Sequence, residues 1–203
     1  MKSSPIFTIG RQFGSGGHDV GLALASRLGI PFYDGDLIAK TAQDSGLCEE
    51  VVRQYEEKTP AGASIPYLPF FRHIGSEQSL GQRIYFAQFE AIRNIAQQGP
   101  AVIVGRCADY VLREHEPLVS VFVHASFERR VERIVGRLGL DEEAARKTVQ
   151  RADKARASYY NFFTDGKWGD AATYDLCLCA DRLETAQLVD LIVAFAKATQ
   201  AWA

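Results

Sequence analysis

The segment IFTIGRQFGSGGHDVGLALASRLGIPFYD, residues 6–34, decides the fold. It opens on the apolar run Ile6–Ile9, passes through a turn of glycines, and continues with Val20, Leu24 and Leu28 four apart and Ala23 and Ala25 beside them, until Gly29 supplies a stop. A short apolar run followed by a helical period reads as a buried strand, a loop and an amphipathic helix. A loop in that place can aim several backbone N–H groups and the positive helix end at a phosphate. Gly14, Ser15, Gly16 and Gly17 suit such a close approach. The full nucleotide-loop pattern GxxxxGK[ST] is nevertheless broken. With Gly16 as its second glycine, Arg11 stands where the first glycine belongs, Gly17 where the lysine belongs and His18 where the hydroxyl residue belongs. On pattern alone two readings stand side by side, a phosphate cradle and a glycine-rich turn that only lets the helix pack on the sheet. His18 and Asp19 also fit as ordinary first-turn residues, Asp19 complementing the helix dipole.

Outward from this segment the same rhythm returns. Apolar runs at Ile30–Tyr33, Ala101–Val104, Leu118–Val123 and Leu176–Cys179 are separated by helical patterns. That alternation predicts an α/β fold with a five-stranded parallel sheet and crossover helices. Residues 34–94 read as a helical insertion, whose stretch 64–81, SIPYLPFFRHIGSEQSLG, mixes aromatics, prolines and glycines without a period. The last helix, near Glu184–Ala201, carries Leu188, Leu191, Ile192 and Phe195 as a core stripe and no chemistry.

The 203 residues, 47% hydrophobic and 24% charged, suffice for a single domain. A net charge of -2 supplies no general attraction for nucleic acid or a membrane, so a basic site must be local. No apolar run approaches the roughly 18 residues of a membrane span, and the expectation is a soluble cytoplasmic protein. Cys48, Cys107, Cys177 and Cys179 form no CxxC pair. They read as reduced thiols without a metal, Cys177 and Cys179 sharing one face of a strand.

Five ordered segments carry a resemblance: RQFGSGGHDVG at the loop, IPFYDGDLIAK after the second strand, VIVGRCADYVL after the third, ERRVERIVGR after the fourth, and DKARASYYNFFTDGKWGDAATYDLCL near the end. Together they resemble the cytidylate kinase-like family of P-loop nucleoside monophosphate kinase relatives, over nearly the whole chain. The lysine-free GSGG loop is a usual form in that family. The resemblance implies a P-loop kinase-like fold in one domain over 1–203, with 34–94 as the nucleotide-binding-type insertion and about 137–172 as a lid. It assigns Gly14, Ser15, Gly16, Gly17 and His18 to donor phosphates. It places Asp34 and Lys40, after the second strand, and Asp109, after the third, with the acceptor nucleotide. Arg106 follows Val104 and Gly105 where relatives have an aspartate, a glycine and the arginine that grips the monophosphate. An arginine at the carboxyl end of a central strand also sits where open α/β sheets bind ligands. An ion pair with Asp109 is the competing role for it.

Arg133 and Arg137, four apart, resemble the lid-entry arginines of adenylate kinases, with a solvated helix face as the alternative. Arg151 and Lys154 share a further face with Lys147 and are assigned to the lid as well. Asp153 and Arg156 match the acid-to-arginine spacing that contacts cytidylate in relatives. Arg156 points about 140° from Arg151 on a helix, so one ligand meets both only if the helix ends or bends. Tyr159, Tyr160, Phe162, Phe163 and Trp168 read as a loop packing its aromatics on the core, or as a base-stacking platform.

The implied activity is transfer of the ATP γ-phosphoryl, with Mg2+, to a nucleoside monophosphate, CMP or dCMP, with Arg11, Arg106 and Arg156 catalytic. Arg11 is the residue nearest the loop to offset the missing lysine, because its guanidinium can serve the phosphates. The alternative is a non-catalytic nucleotide- or phosphate-sensing module on the same fold. Partners are small-molecule nucleotides, metal ligands are unassigned, and a homo-oligomer is left open.

Overall fold

A computed structural model describes residues 4–35 and 80–202, the side chains of 80–84 excepted. Lys40, Cys48 and most of the stretches 34–94 and 64–81 therefore lie outside the described residues. The described elements are β1 (Ile6–Arg11), α1 (Gly17–Leu28), β2 (Phe32–Tyr33), α2 (Leu80–Gln98), β3 (Ala101–Val104) and α3 (Ala108–Val111). They continue with β4 (Leu118–His124), α4 (Phe127–Leu138), α5 (Glu142–Phe163), a 3-10 turn (Ala171–Thr173), β5 (Leu176–Cys179) and α6 (Thr185–Ala198).

The five strands are parallel in the order β2-β3-β1-β4-β5. β1 is central because Ile6, Phe7 and Ile9 are all fully buried, the mark of a strand covered on both faces. Phe7 and Ile9 face one layer, with Val20 and Leu24 of α1 and Leu188 and Ile192 of α6. Ile6 faces the other, with Ile92 and Ile95 of α2 and Val111 after β3. The strand order reverses across β1, so the crevice at its carboxyl end is the topological switch point where such sheets bind ligands.

Local sequence sets the ends of the helices that frame this crevice. Gly29 takes a left-handed conformation (φ 66°) and closes α1, its N–H bonding Ala25 O. Gly21 lets α1 lie close on β3, since a Cβ there would stand 2.8 Å from Val104 Cγ2. Asp141 caps α5 by accepting from Ala144 N at 2.8 Å. α5 then runs unbroken for 22 residues, so the bend that would let Arg151 and Arg156 meet one ligand does not occur. Cys177 and Cys179 are both exposed on the edge strand β5, on one face as expected.

Candidate functional site

The loop after β1 is held by its own chain and by two helices behind it. Gly14 and Gly16 have φ of 77° and 87°, where side chains are disfavoured. At Gly14 a Cβ would also stand 2.9 Å from Arg130 O. Ser15 is fully buried; its Oγ donates to Gln12 O (2.9 Å) and accepts from Gly17 N (3.3 Å), so the hydroxyl shapes the loop from within. Gln12 ties the loop to the end of β4, its N–H bonding Val123 O at 3.0 Å and its Oε1 accepting from Ala125 N at 3.2 Å.

α4 and α5 supply the support. The buried Arg130 of α4 donates to Ala125 O (3.1 Å) and Phe13 O (3.2 Å) and pairs with Asp153 of α5. Asp153 also accepts from Phe13 N at 2.8 Å. The carboxylate of Asp153, expected at the acceptor, thus ties the glycine loop to α4 and α5. Arg133, expected in the lid, also meets the chain around the loop. It donates to Ser15 O (2.6 Å), Gly14 O (3.4 Å) and Ala180 O (3.0 Å), so it fastens the outside of the loop to the end of β5. Arg137 stands exposed, 3.8 Å from Asp19. Arg151 and Lys154 are exposed on α5.

A second group of arginines converges on the other side. Arg11, Arg106 and Arg156 line one pocket at the carboxyl ends of β1 and β3. Arg156 leaves α5 over the Phe13 ring (5.3 Å to the centroid) and donates to Arg11 O at 3.3 Å. Gly105, Arg106 and Cys107 are three successive left-handed residues with φ of 77°, 55° and 54°. For the non-glycine members this costs about 1–3 kcal/mol each, a strain that persists only where the surroundings over-determine it. The turn carries Arg106 across to Gly35, where a Cβ would stand 2.8 Å from Arg106 Nη2.

The far wall of the pocket is aromatic and carries one acid. Tyr159, Tyr160, Trp168 and Tyr174 line it, so the aromatic run after α5's arginines both packs and faces the cavity. Tyr160 donates to Asp109 at 2.7 Å. Burial pushes the Asp109 carboxyl up from its ordinary range, against the lowering effect of that hydrogen bond. The Tyr160 and Tyr174 hydroxyls are pushed up too, first by burial and then by the nearby Asp109 charge.

Known proteins match this chain in sequence and in fold. The model of the cytidylate kinase-like family covers residues 6–182. The chain belongs to that family. A curated relative, the cytidylate kinase of Methanopyrus kandleri, is 26% identical over 188 residues, 88% of this chain and 86% of that protein. Among solved structures, an uncharacterized protein from Eubacterium ventriosum has a TM-score of 0.75 at 30% identity, covering 96% of this chain and 99% of that one. Shikimate kinase from Bacteroides thetaiotaomicron superposes with a TM-score of 0.54 at 14% identity, over 97% of this chain and 98% of that one, and shares the P-loop kinase fold.

In this cytidylate kinase-like chain the described site residues divide cleanly. The loop glycines, His18 and Asp34 lie on the α1 side, where His18 Nε2 stands 3.3 Å from Asp34 Oδ2. Arg11, Arg106, Asp109 and Arg156 lie together in the pocket. Sequence reasoning missed Arg130, although its place three residues before Arg133 puts both on the α4 face that meets the loop. It also missed Gly35 and Cys107, for which only the left-handed turn gives a reason. Among the described residues no group of three His, Cys, Asp or Glu side chains stands where it could hold a metal ion, and no helix is long and apolar enough to cross a membrane.

Proposed function

We propose that this chain transfers the γ-phosphoryl of ATP to a nucleoside monophosphate, with CMP or dCMP as the acceptor. The observation that carries the reading is the convergence of Arg11, Arg106 and Arg156 on one pocket beside the glycine loop. The family, and the relative named cytidylate kinase, support the choice of acceptor.

Gly14, Ser15, Gly16 and Gly17 form the donor cradle, with the amides of the first α1 turn and the helix dipole aimed at ATP phosphates. His18 and Asp34 border it. Arg106 and Arg156 hold the acceptor phosphate, and Lys40, outside the described residues, is proposed to join them. Asp109 and the tyrosine wall face the rest of the acceptor. The acceptor phosphate is already ionised near neutral pH, so no side chain needs to remove a proton. Its oxygen attacks the γ-phosphorus, the bond to the β-bridging oxygen breaks, and ADP leaves. Positioning and neutralisation of charge then carry the rate, and the guanidinium set supplies both. Mg2+, when bound, neutralises phosphate charge.

An ADP-release assay over a panel of nucleoside monophosphates and small alcohols tests the proposal. Turnover highest with a cytidine monophosphate is the expected result. Turnover only with an alcohol reassigns the acceptor, and ATP binding without turnover on any acceptor favours the sensing module, for which the glycine in the lysine's place is the supporting observation.

A further inference from the structure

The glycine at position 17 has a local cause. A Cβ placed on Gly17 would stand 2.5 Å from Arg11 Cβ, 3.2 Å from Arg11 Cγ and 3.1 Å from Val123 Cβ. The first contact lies between atoms next to the backbone, which cannot swing away. Arg11 therefore occupies the room from which a loop lysine would start. Its side chain then runs to β3, where a Cβ on Gly105 would stand 2.0 Å from Arg11 Nη1 and 2.9 Å from Cζ. Two glycines thus form the seat of one arginine: the first frees its stem, the second its guanidinium. The charged end lines the pocket with Arg106 and Arg156.

We infer that the chain has exchanged the loop lysine for Arg11, and that the Arg11 guanidinium touches the phosphoryl group in transit from ATP to the acceptor. The inference rests on the kinase reading above. A lysine in the loop approaches the β- and γ-phosphates from the donor side. Arg11 starts from the end of β1, passes Gly17 and reaches Gly105 after β3, and lines the pocket with Arg106 and Arg156. Its donors meet the equatorial oxygens as the γ-phosphorus leaves ADP, and it exchanges no proton, because an arginine side chain stays protonated. This moves its contribution from ATP affinity, where the loop pattern placed it, to turnover and acceptor binding.

The test combines kinetics with a double-mutant cycle. Arg11→Met is expected to lower kcat by about 10²-fold or more, the usual scale for one lost donor to a developing charge, while ATP affinity by calorimetry changes less than about 3-fold. Arg11→Lys, which keeps the charge, should recover about tenfold of that loss. In the cycle, Gly17→Lys is made in the parent and in Arg11→Gly, and Tm is read for all four proteins. The Tm drop caused by Gly17→Lys should be large in the parent and largely absent where Arg11 is glycine. A kcat for Arg11→Met within 3-fold of the parent overturns the catalytic role. Equal Tm drops in the two backgrounds overturn the exchange. If the parent is inactive on every acceptor, the kinase reading falls and the catalytic role with it, and the Tm cycle alone decides whether Arg11 holds the lysine's place.

Discussion

The arginines behind the loop and the arginines in front of it are chemically identical and do opposite work. Arg130 and Arg133 give their donors to the protein itself: to the carbonyls of Phe13, Gly14, Ser15, Ala125 and Ala180, and to the Asp153 carboxylate. Arg11, Arg106 and Arg156 line a cavity, Arg156 also donating to Arg11 O. The difference lies in what each stem passes. α4 packs directly on the loop, so its arginines meet carbonyl oxygens within one side-chain length. Arg11 and Arg106 instead cross glycines, Gly17, Gly105 and Gly35, that place no atoms in their way. A guanidinium whose stem packs on a loop meets backbone oxygens and fixes it, and one carried past glycine lines a crevice.

The comparison breaks most visibly behind the loop. Asp153→Ala removes the acceptor of Phe13 N and leaves the buried Arg130 guanidinium without its carboxylate. Loss of one partner of such a pair is expected to destabilise by about 3–5 kcal/mol, read by urea or thermal unfolding. The measurement separates the two sets of arginines: a loss below about 1 kcal/mol, the ordinary scale of a surface ion pair, would place Asp153 back among ligand-facing groups. Arg106→Ala is the matching experiment in front of the loop. Its expected outcome is a fall in kcat/KM of about 10²-fold, roughly 2.7 kcal/mol of transition-state stabilisation, with a Tm change too small to account for it. A fall in activity that tracks unfolding would make Arg106 a second structural arginine.

These two sets also mark where the sequence could be read and where it could not. The five strands were legible, because runs such as Ile6–Ile9 and Ala101–Val104 are buried on both faces and need continuous apolar residues. The helix after the loop was legible from Val20, Leu24 and Leu28 on one face and Gly29 at its end. The position of Arg106 just past the end of a central strand was legible from the apolar run before it. The contact of Asp153 with Phe13 was not, because a partner 140 residues away in the chain leaves no periodic trace. The contacts of Arg133 were not legible for a related reason: its spacing to Arg137 says that two charges share a face, and only tertiary packing says what that face meets. The glycine at position 17 could be read as a defect in a pattern, but the spacing does not say that Arg11 Cβ would stand 2.5 Å from a Cβ there.

The smallest effect sharpens the contrast within the pocket itself, between its arginines and its one acid. Asp109 has its carboxyl pushed up by burial, so the folded state binds its proton more tightly than the unfolded chain does. For a group raised in the folded state, the stabilisation is complete below the unfolded value, 3.8, and is lost as pH rises through the folded one. Asp109→Asn removes this titration and keeps an oxygen for the Tyr160 hydroxyl. The variant should therefore gain in Tm relative to the parent as pH rises from about 4 toward neutrality, the range that opens above an ordinary aspartate, and the difference should level off once the parent's carboxyl is ionised. Thermal melting of both proteins across that range checks the sign directly. A difference that is flat with pH would mean that the carboxyl titrates alike in folded and unfolded chains. One that shrinks as pH rises would mean that the arginines of the pocket, and not burial, dominate its environment. In that case Asp109 belongs to the charge balance of the pocket's arginines, and under the proposed function the aromatic wall alone is left to meet the body of the acceptor.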